Sequence, residues 1–240
     1  MGENVAAIAS AIGLVLQPVF LGYFLLYNGY LLLLIALSAK QVRRRVAGHF
    51  IEDLDLIDGG DYTKPLTMIV PAFNEEVTIV DSVTNLVHCD YPRFEVVVVN
   101  DGSSDRTLEV LKQAFRLRRT DLPYRDAIGT APARAKYLAT ASLPPNVSQL
   151  VVLDKENAGK ADALNAGINA STAPYFVSLD ADSILDQRAL KELMRMVQED
   201  PLIVAVGGQV AIANGCTIRG GRVVSVGLPT HPWSRFQMVE

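Results

Sequence analysis

The stretch Tyr175-Phe-Val-Ser-Leu-Asp-Ala-Asp182 leads from an apolar segment straight into two carboxylates. The apolar segment predicts a buried strand, and side chains two positions apart on a strand share a face. Asp180 and Asp182 then point to one place beyond the carboxyl end of the strand, where α/β sheets bind ligands. Carboxylate oxygens suit Mg²⁺ or Mn²⁺, which take carboxylates together with substrate phosphates. This pattern favours a divalent cation that holds a diphosphate; the alternative is a polar turn that caps the next helix.

Apolar runs and helical spacing alternate through most of the chain. Strands are predicted at 66–70, 94–99, 150–153, 175–179 and 203–206. Helices with one apolar face are predicted at 77–87, 161–170 and 186–198. A further helix is predicted to begin after a cap within 103–105. Strands that alternate with helices form βαβ units, so the expected fold class is α/β with a mostly parallel sheet.

Two segments depart from this alternation. Residues 116–148 are first basic and then rich in proline and alanine. They are longer than a usual connection, and we expect an insertion that is partly loop and partly helical. Gly220 and Gly221 stand between β-prone arms and predict a hairpin over 216–225.

Polar residues follow each of the first four predicted strands. These polar segments are 71–76, 100–105, 154–162 and 180–182. Since parallel strands end at one edge of a sheet, their acids gather there and need cations, which a metal ion and Lys160 would supply. The chain has no G-x-G-x-x-G after a strand and no G-x-x-x-x-G-K-[ST]. A Rossmann fingerprint and a P-loop are therefore excluded.

A membrane helix is predicted near the N-terminus. Residues 4–39 contain no charged side chain, and about 20 apolar residues span a bilayer. We predict a transmembrane helix at about 17–39. Glu3 and the length of the apolar run argue against a signal peptide. Because the basic residues follow the helix, starting at Lys40, the remaining chain is expected in the cytoplasm, at the inner or plasma membrane.

The predicted domains are a membrane anchor at 1–45, a linker at 46–65 and a cytoplasmic catalytic domain at 66–240. The formal net charge of −4 argues against a nucleic-acid partner. The two cysteines, Cys89 and Cys216, lie far apart and match no metal-ligand spacing. A disulfide framework is not expected, which fits a reducing compartment.

Four motifs in order resemble the family 2 glycosyltransferases with the GT-A fold. They are P-A-F-N-E-E, V-N-D-G-S-S-D-R-T, N-A-G-K-A-D-A-L-N-A-G and L-D-A-D-S, within a match from about Thr67 to Gln209. The chain is most similar to membrane-bound processive synthases of poly-N-acetylglucosamine, hyaluronan, chitin and cellulose. The resemblance implies a Rossmann-like nucleotide-diphospho-sugar transferase sheet, Mg²⁺ or Mn²⁺, and a UDP-sugar donor such as UDP-N-acetylglucosamine. It also implies a growing glycan or lipid acceptor.

The resemblance also assigns roles on the nucleoside side of the donor. Pro71, Asn74 and Glu75 would line the nucleobase and ribose pocket. Asp101 would bind the uridine by accepting a hydrogen bond from uracil.

On the diphosphate side, Lys160 would approach the nucleotide or its diphosphate. Asp180 would contact the ribose or the sugar, and Asp182 would ligate the metal ion that bridges the diphosphate. Members of this family invert the anomeric centre in a single displacement, with a general base that activates the acceptor hydroxyl.

The chain also departs from the family pattern. The acidic motif that supplies the general base and the Q-x-x-R-W motif do not occur before Glu240. We therefore expect the catalytic base beyond Glu240, a C-terminally incomplete domain, and donor binding with little transfer. A second subunit or the missing C-terminal segment would complete the enzyme.

Three other functions are considered. One is a non-processive glycosyltransferase with a polyprenyl-phosphate or lipid acceptor, and another is a non-catalytic nucleotide-binding subunit. A nucleotidyltransferase is disfavoured, because it would have a basic glycine-rich loop where this chain has Asn74, Glu75 and Glu76.

Overall fold

The computed structural model describes residues 2–49, 63–121, 127–200, 202–208, 216–219, 222–225 and 227. The chain divides into two compact units, Met1–Asp53 and Leu54–Glu240. Most of the linker predicted at 46–65 lies outside the described residues. The domain bounds predicted from the sequence stay predictions.

The first unit contains one long helix, α1 (Gly2–His49). It is continuous through Pro18, so residues 5–16 do not form a separate helix. The segment Leu16–Ala39 has a mean hydropathy of 1.9 and its side chains are exposed. By length and composition this segment can cross a membrane.

The second unit is an α/β fold. Its strands are β1 (Leu66–Ala72), β2 (Phe94–Asp101), β3 (Leu117–Thr120), β4 (Ala133–Ala139), β5 (Val147–Lys155), β6 (Tyr175–Ser178), β7 (Thr217–Arg219) and β8 (Arg222–Ser225). Its helices are α2 (Ile79–Val87), α3 (Thr107–Phe115), α4 (Lys160–Ala170) and α5 (Ala189–Glu199).

Six strands form one sheet in the order β3-β4-β5-β2-β1-β6. The four strands β5, β2, β1 and β6 run parallel, with Val98 of β2 beside Val70 of β1 and Val152 of β5. β3 and β4 extend the sheet antiparallel at the β5 side. The prediction of a mostly parallel α/β sheet is confirmed, and so is the hairpin at β7 and β8.

Two apolar layers cover the sheet. All eight residues of β2 are buried, as expected for a central parallel strand with helices on both faces. Val96 and Val98 belong to the larger cluster, which takes in side chains of α2, α3 and α5. Val97 and Val99 point the other way and pack with alanines of α4.

The insertion at 116–148 differs from the expectation. Where the structure describes it, it contains strands β3 and β4 and no helix. The cause is tertiary, because β4 pairs with the edge of β5 and Tyr137 and Leu138 pack onto opposite faces of the sheet.

The strand predicted at 203–206 was wrong. Residues 202–208 are described without a strand, and the side chain of Val204 is 99% exposed. In the described part of the chain nothing pairs with this segment, and an apolar run becomes a strand only where a partner completes its hydrogen bonds.

Helix α4 lies very close to the sheet. A Cβ atom added to Gly167 would meet Cγ2 of Ile69 at 2.2 Å. The missing side chain therefore lets the helix backbone approach β1, and it sets how deep the helix sits.

Gly167→Ala tests this close approach. Within a helix, alanine is more favourable than glycine by about 1 kcal/mol, but overpacking a core costs about 1–3 kcal/mol. We expect a lower melting temperature in detergent, and a smaller loss when Ile69→Ala first removes the opposing atom.

Gly129→Ala is the control, because a Cβ there meets nothing within 4 Å. A higher melting temperature for Gly167→Ala would contradict the packing described.

Candidate functional site

The ends of the parallel strands bring four connections to one edge of the sheet. They follow β1, β2, β5 and β6, which are neighbours in the order β5-β2-β1-β6. Crevices at such edges are where open α/β sheets bind ligands. The predicted site residues all lie at or just beyond this edge.

The connections after β1 and β2 are joined through Asn74. This residue has a positive φ of 58°, which asparagine tolerates better than most residues. Its side-chain oxygen accepts the N–H of Ser104 at 2.9 Å, and its own N–H donates to the Ser103 hydroxyl at 3.0 Å. Asn74 therefore fixes the two connections to each other.

Glu75 and Glu76 continue this joint. The N–H of Glu75 donates to the Thr107 hydroxyl at 2.8 Å. The N–H of Glu76 donates to Asp105 at 3.1 Å, and the Glu76 carboxylate accepts the N–H of Arg106 at 3.0 Å. The predicted pocket residues Asn74 and Glu75 therefore brace the loops at the start of α3, and their contact with a ligand stays a prediction.

Asp101 lies at the end of β2 and is only 2% exposed. One carboxylate oxygen accepts the ammonium of Lys155 at 2.7 Å and the N–H of Ala158 at 3.1 Å. The other accepts the N–H of Gly159 at 2.8 Å. Asp101, which the sequence predicts to bind uridine, thus bonds groups of its own chain and supports the loop before α4.

Lys155 is a residue that the sequence reading missed. It is fully buried and bonds Asp101, Asp162 at 2.5 Å and the carbonyl of Glu156 at 2.6 Å. Burial lowers its pKa, but the two carboxylates outweigh this effect and raise the pKa above its ordinary value. The available signal is a lysine that still belongs to the strand after its apolar run 150–153 and Asp154.

Gly102 and Asn157 show how tightly the two loops meet. The side chain of Asn157 donates to the carbonyl of Asp101 at 2.7 Å. A Cβ on Gly102, whose φ is +66°, would lie 2.6 Å from the nitrogen of Asn157. Only glycine fits there, for its conformation and for the space.

Lys160 and Asp180 form an exposed ion pair across the site. Lys160 is the first residue of α4, and its ammonium bonds the carboxylate of Asp180. Their side chains are 67% and 55% exposed. This pair links the connection after β5 to the one after β6, and both groups remain accessible to a ligand.

Asp180 and Asp182 lie in the turn after β6 and not on the strand itself. β6 ends at Ser178, and the N–H of Ser183 donates to the carbonyl of Asp180 at 3.1 Å. Asp182 is exposed. Among the described residues no group of three or more His, Cys, Asp or Glu is placed to hold a metal ion. The two carboxylates fit a cation whose other ligands come from substrate phosphates.

Three further residues complete the edge. Pro71 is partly buried and lies beside Val99. Asn100 is 2% exposed, and its amide group donates to Asp154 at 2.7 Å. Phe73, which follows the last residue of β1, is half exposed. It is an aromatic surface at the site that the sequence reading did not single out.

Comparison with known families shows the family to which the chain belongs. The sequence profile of Glycosyl transferase family 2 matches residues 67–143 and 132–222, which include all four polar strand ends. The chain belongs to this family. The resemblance seen in the motifs is therefore confirmed.

Curated relatives in this family include poly-beta-1,6-N-acetyl-D-glucosamine synthases. The protein of Staphylococcus aureus strain COL is 30% identical over 161 residues, which cover 67% of this chain and 32% of the relative. That of Staphylococcus epidermidis is 27% identical over 155 residues, 65% of this chain and 31% of the relative. The chain thus spans about a third of the length of these relatives.

Two solved structures to which the chain is similar are the following. S. aureus TarS 1–349 is 22% identical, with a TM-score of 0.40, over 56% of this chain and 32% of that one. The mannosyltransferase PcManGT of Pyrobaculum calidifontis, solved with GDP-Man and Mn²⁺, is 25% identical, with a TM-score of 0.45, over 70% and 44% of the two chains.

Asp162→Asn tests the buried ion cluster. Lys155 holds the pKa of Asp162 below its ordinary value of 3.8. The ionised carboxylate thus adds stability above that value and loses it as the pH falls through the lowered pKa. We expect the variant to be less stable than the wild type in urea at neutral pH, with a difference that shrinks in acid.

Asp81→Asn is the matched control, because Asp81 also lies in the first turn of a helix but is exposed. A stability difference for Asp162→Asn that stays constant from neutral to acidic pH would show that its charge does not stabilise the fold.

Proposed function

We propose that the chain binds a UDP-sugar and a divalent cation, and forms the donor half of an inverting, polysaccharide-extending glycosyltransferase. The observation that carries this proposal is that the four family motifs meet at one edge of the parallel sheet. The curated relatives make UDP-N-acetylglucosamine the first donor to test.

The nucleoside would bind against the joined loops after β1 and β2. Asn74 and Glu75 hold these loops in place, and Pro71 lies at the end of β1. Phe73 presents a half-exposed ring beside them, which suits stacking on a nucleobase. Asp101 has one lone pair left on the oxygen that accepts Gly159, which is enough to accept a uracil N–H.

The diphosphate would bind on the other side, near Lys160. This ammonium is exposed and stands at the N-terminus of α4, where the helix dipole also favours negative charge. Asp180 lies within reach of the same ammonium and would contact the ribose or the sugar. When the sugar departs, Lys160 would stabilise the charge that develops on the leaving diphosphate.

Asp182, with Asp180 beside it, would hold the Mg²⁺ or Mn²⁺ ion. Both carboxylates are exposed and lie one residue apart in the turn after β6. The ion would supply further positive charge for the diphosphate. The acceptor hydroxyl would belong to the growing glycan or lipid, and none of the residues assigned above would be the general base that activates it.

Helix α1 would anchor this unit to the inner or plasma membrane. The segment Leu16–Ala39 is long and apolar enough for this. The basic residues that follow it, starting at Lys40, favour the cytoplasmic side for the catalytic unit.

Titration with UDP, with and without Mn²⁺, tests the proposal. We expect Mn²⁺ to raise the affinity of the wild type for UDP, and Asp182→Asn to lose this effect. Asp186→Asn is the matched control, because its exposed carboxylate lies in the same connection and accepts the N–H of Arg188 in its own turn. We expect it to keep the Mn²⁺ effect.

Absence of UDP binding at any Mn²⁺ concentration would overturn the donor site. An Mn²⁺ effect of the same size in Asp182→Asn would overturn the metal assignment alone. Binding without transfer, even when the rest of the synthase is supplied, would favour a non-catalytic nucleotide-binding subunit.

Phe73→Ala tests the stacking role. Loss of a base–aromatic stack costs about 1–3 kcal/mol, so calorimetry should show weaker UDP binding and unchanged pyrophosphate binding. Val77→Ala removes a more exposed side chain, 83% against 51%, from the same connection. It should change neither affinity, and equal losses in the two variants would argue against stacking.

A further inference from the structure

Lys155 is the one fully buried cation among the described residues at the carboxyl edge of the sheet. Its ammonium bonds two carboxylates, of Asp101 and Asp162, and the carbonyl of Glu156. All three donors of the ammonium are used. No part of this side chain is accessible, so it does not contact a ligand itself.

The first carboxylate, Asp101, supports the loop that precedes α4. It accepts the N–H groups of Ala158 and Gly159, and its carbonyl accepts the side chain of Asn157. Burying a carboxylate is costly unless hydrogen bonds or an opposite charge compensate for the lost water, and Lys155 supplies the opposite charge at 2.7 Å. The loop therefore rests on Asp101, and Asp101 rests on Lys155.

The second carboxylate, Asp162, lies in the first turn of α4. It bonds Lys155 at 2.5 Å and accepts the N–H of Ala131 from the segment before β4. The chain on both sides of Lys160 is thus fixed by one ammonium, through Gly159 on one side and Asp162 on the other. The backbone at Lys160 is therefore more restricted than that of a lysine in an unsupported loop.

We propose that Lys155 is a positioning residue for the donor diphosphate. It holds the loop and the first turn of α4 so that Lys160 and the helix N-terminus meet the diphosphate in one geometry. This inference rests on the proposed donor site. It differs from a purely structural role because it predicts a larger loss for UDP than for UMP: both nucleotides share the uracil contact of Asp101, and UDP alone has the second phosphate near Lys160.

The experiment compares the affinities for UDP and UMP by calorimetry in Mn²⁺. For Lys155→Met we expect UDP binding to weaken about tenfold more than UMP binding, the size of one charge-assisted hydrogen bond, because both nucleotides share any loss at the uracil contact of Asp101. Lys160→Met should show the same pattern. The double variant should be no weaker than the worse single variant, because Lys155 acts through Lys160.

Two further variants keep the test open to failure. Lys155→Met with Asp162→Asn removes the charge of one carboxylate together with the ammonium, and it replaces the single variant if that does not fold. Lys191→Met is the matched control, because Lys191 is 4% exposed and pairs with Asp90 ahead of β2, at the other end of the strand. It should lower the melting temperature and leave the ratio of UDP to UMP affinity unchanged.

Each outcome decides between the claims. A wild type that binds neither nucleotide overturns the donor site and this inference with it. A wild type that prefers UDP, with a Lys155→Met variant that keeps the same preference or loses both affinities equally, overturns this inference alone. Additive losses in the double variant also overturn it. A selective, non-additive loss of UDP affinity supports it.

Discussion

Two buried carboxylates on strand β2 hold helix α4 at both of its ends. Glu95, near the start of the strand, accepts the N–H of Thr172 just after the helix at 2.6 Å. Asp101, at the end of the strand, accepts the N–H of Gly159 just before the helix at 2.8 Å. Between them Gly167 lets the helix lie against β1. Because β2 is buried throughout, its two carboxylates have fixed positions, and they fix the helix N-terminus relative to the edge of the sheet.

The two carboxylates are stabilised by different means. Glu95 has only neutral donors, from Thr67, Gln149 and Thr172, and their hydrogen bonds lower its pKa although burial raises it. Asp101 has a buried ammonium as its partner, and that ammonium also bonds a carboxylate of the helix. Removing one member of a buried ion pair costs about 3–5 kcal/mol. The end of the helix that faces the candidate site is therefore held through a charged cluster, and the other end through neutral hydrogen bonds.

The sequence predicts the elements whose cause is local and misses those whose cause is tertiary. The parallel strands are predicted by their apolar runs, and the polar ends follow from them. Strands β3 and β4 are not predicted, because their basic and alanine-rich residues have no apolar period. β4 becomes a strand by pairing with β5, and β3 by pairing with β4. The strand predicted at 203–206 was wrong for the opposite reason: the run is apolar, but no described strand pairs with it. Lys155 is hidden because its carboxylate partners lie on other elements, β2 and α4.

The exposed and the buried ion pairs of this edge serve different purposes. An exposed pair such as Lys160 with Asp180 contributes only about 0–1 kcal/mol, so an incoming phosphate can take Lys160 at little cost. The cluster of Lys155, Asp101 and Asp162 is too costly to open in the same way. A site that binds and releases a charged ligand needs exchangeable contacts on a support that does not change. In this chain the exchangeable lysine stands at the first position of the helix that the buried lysine holds in place.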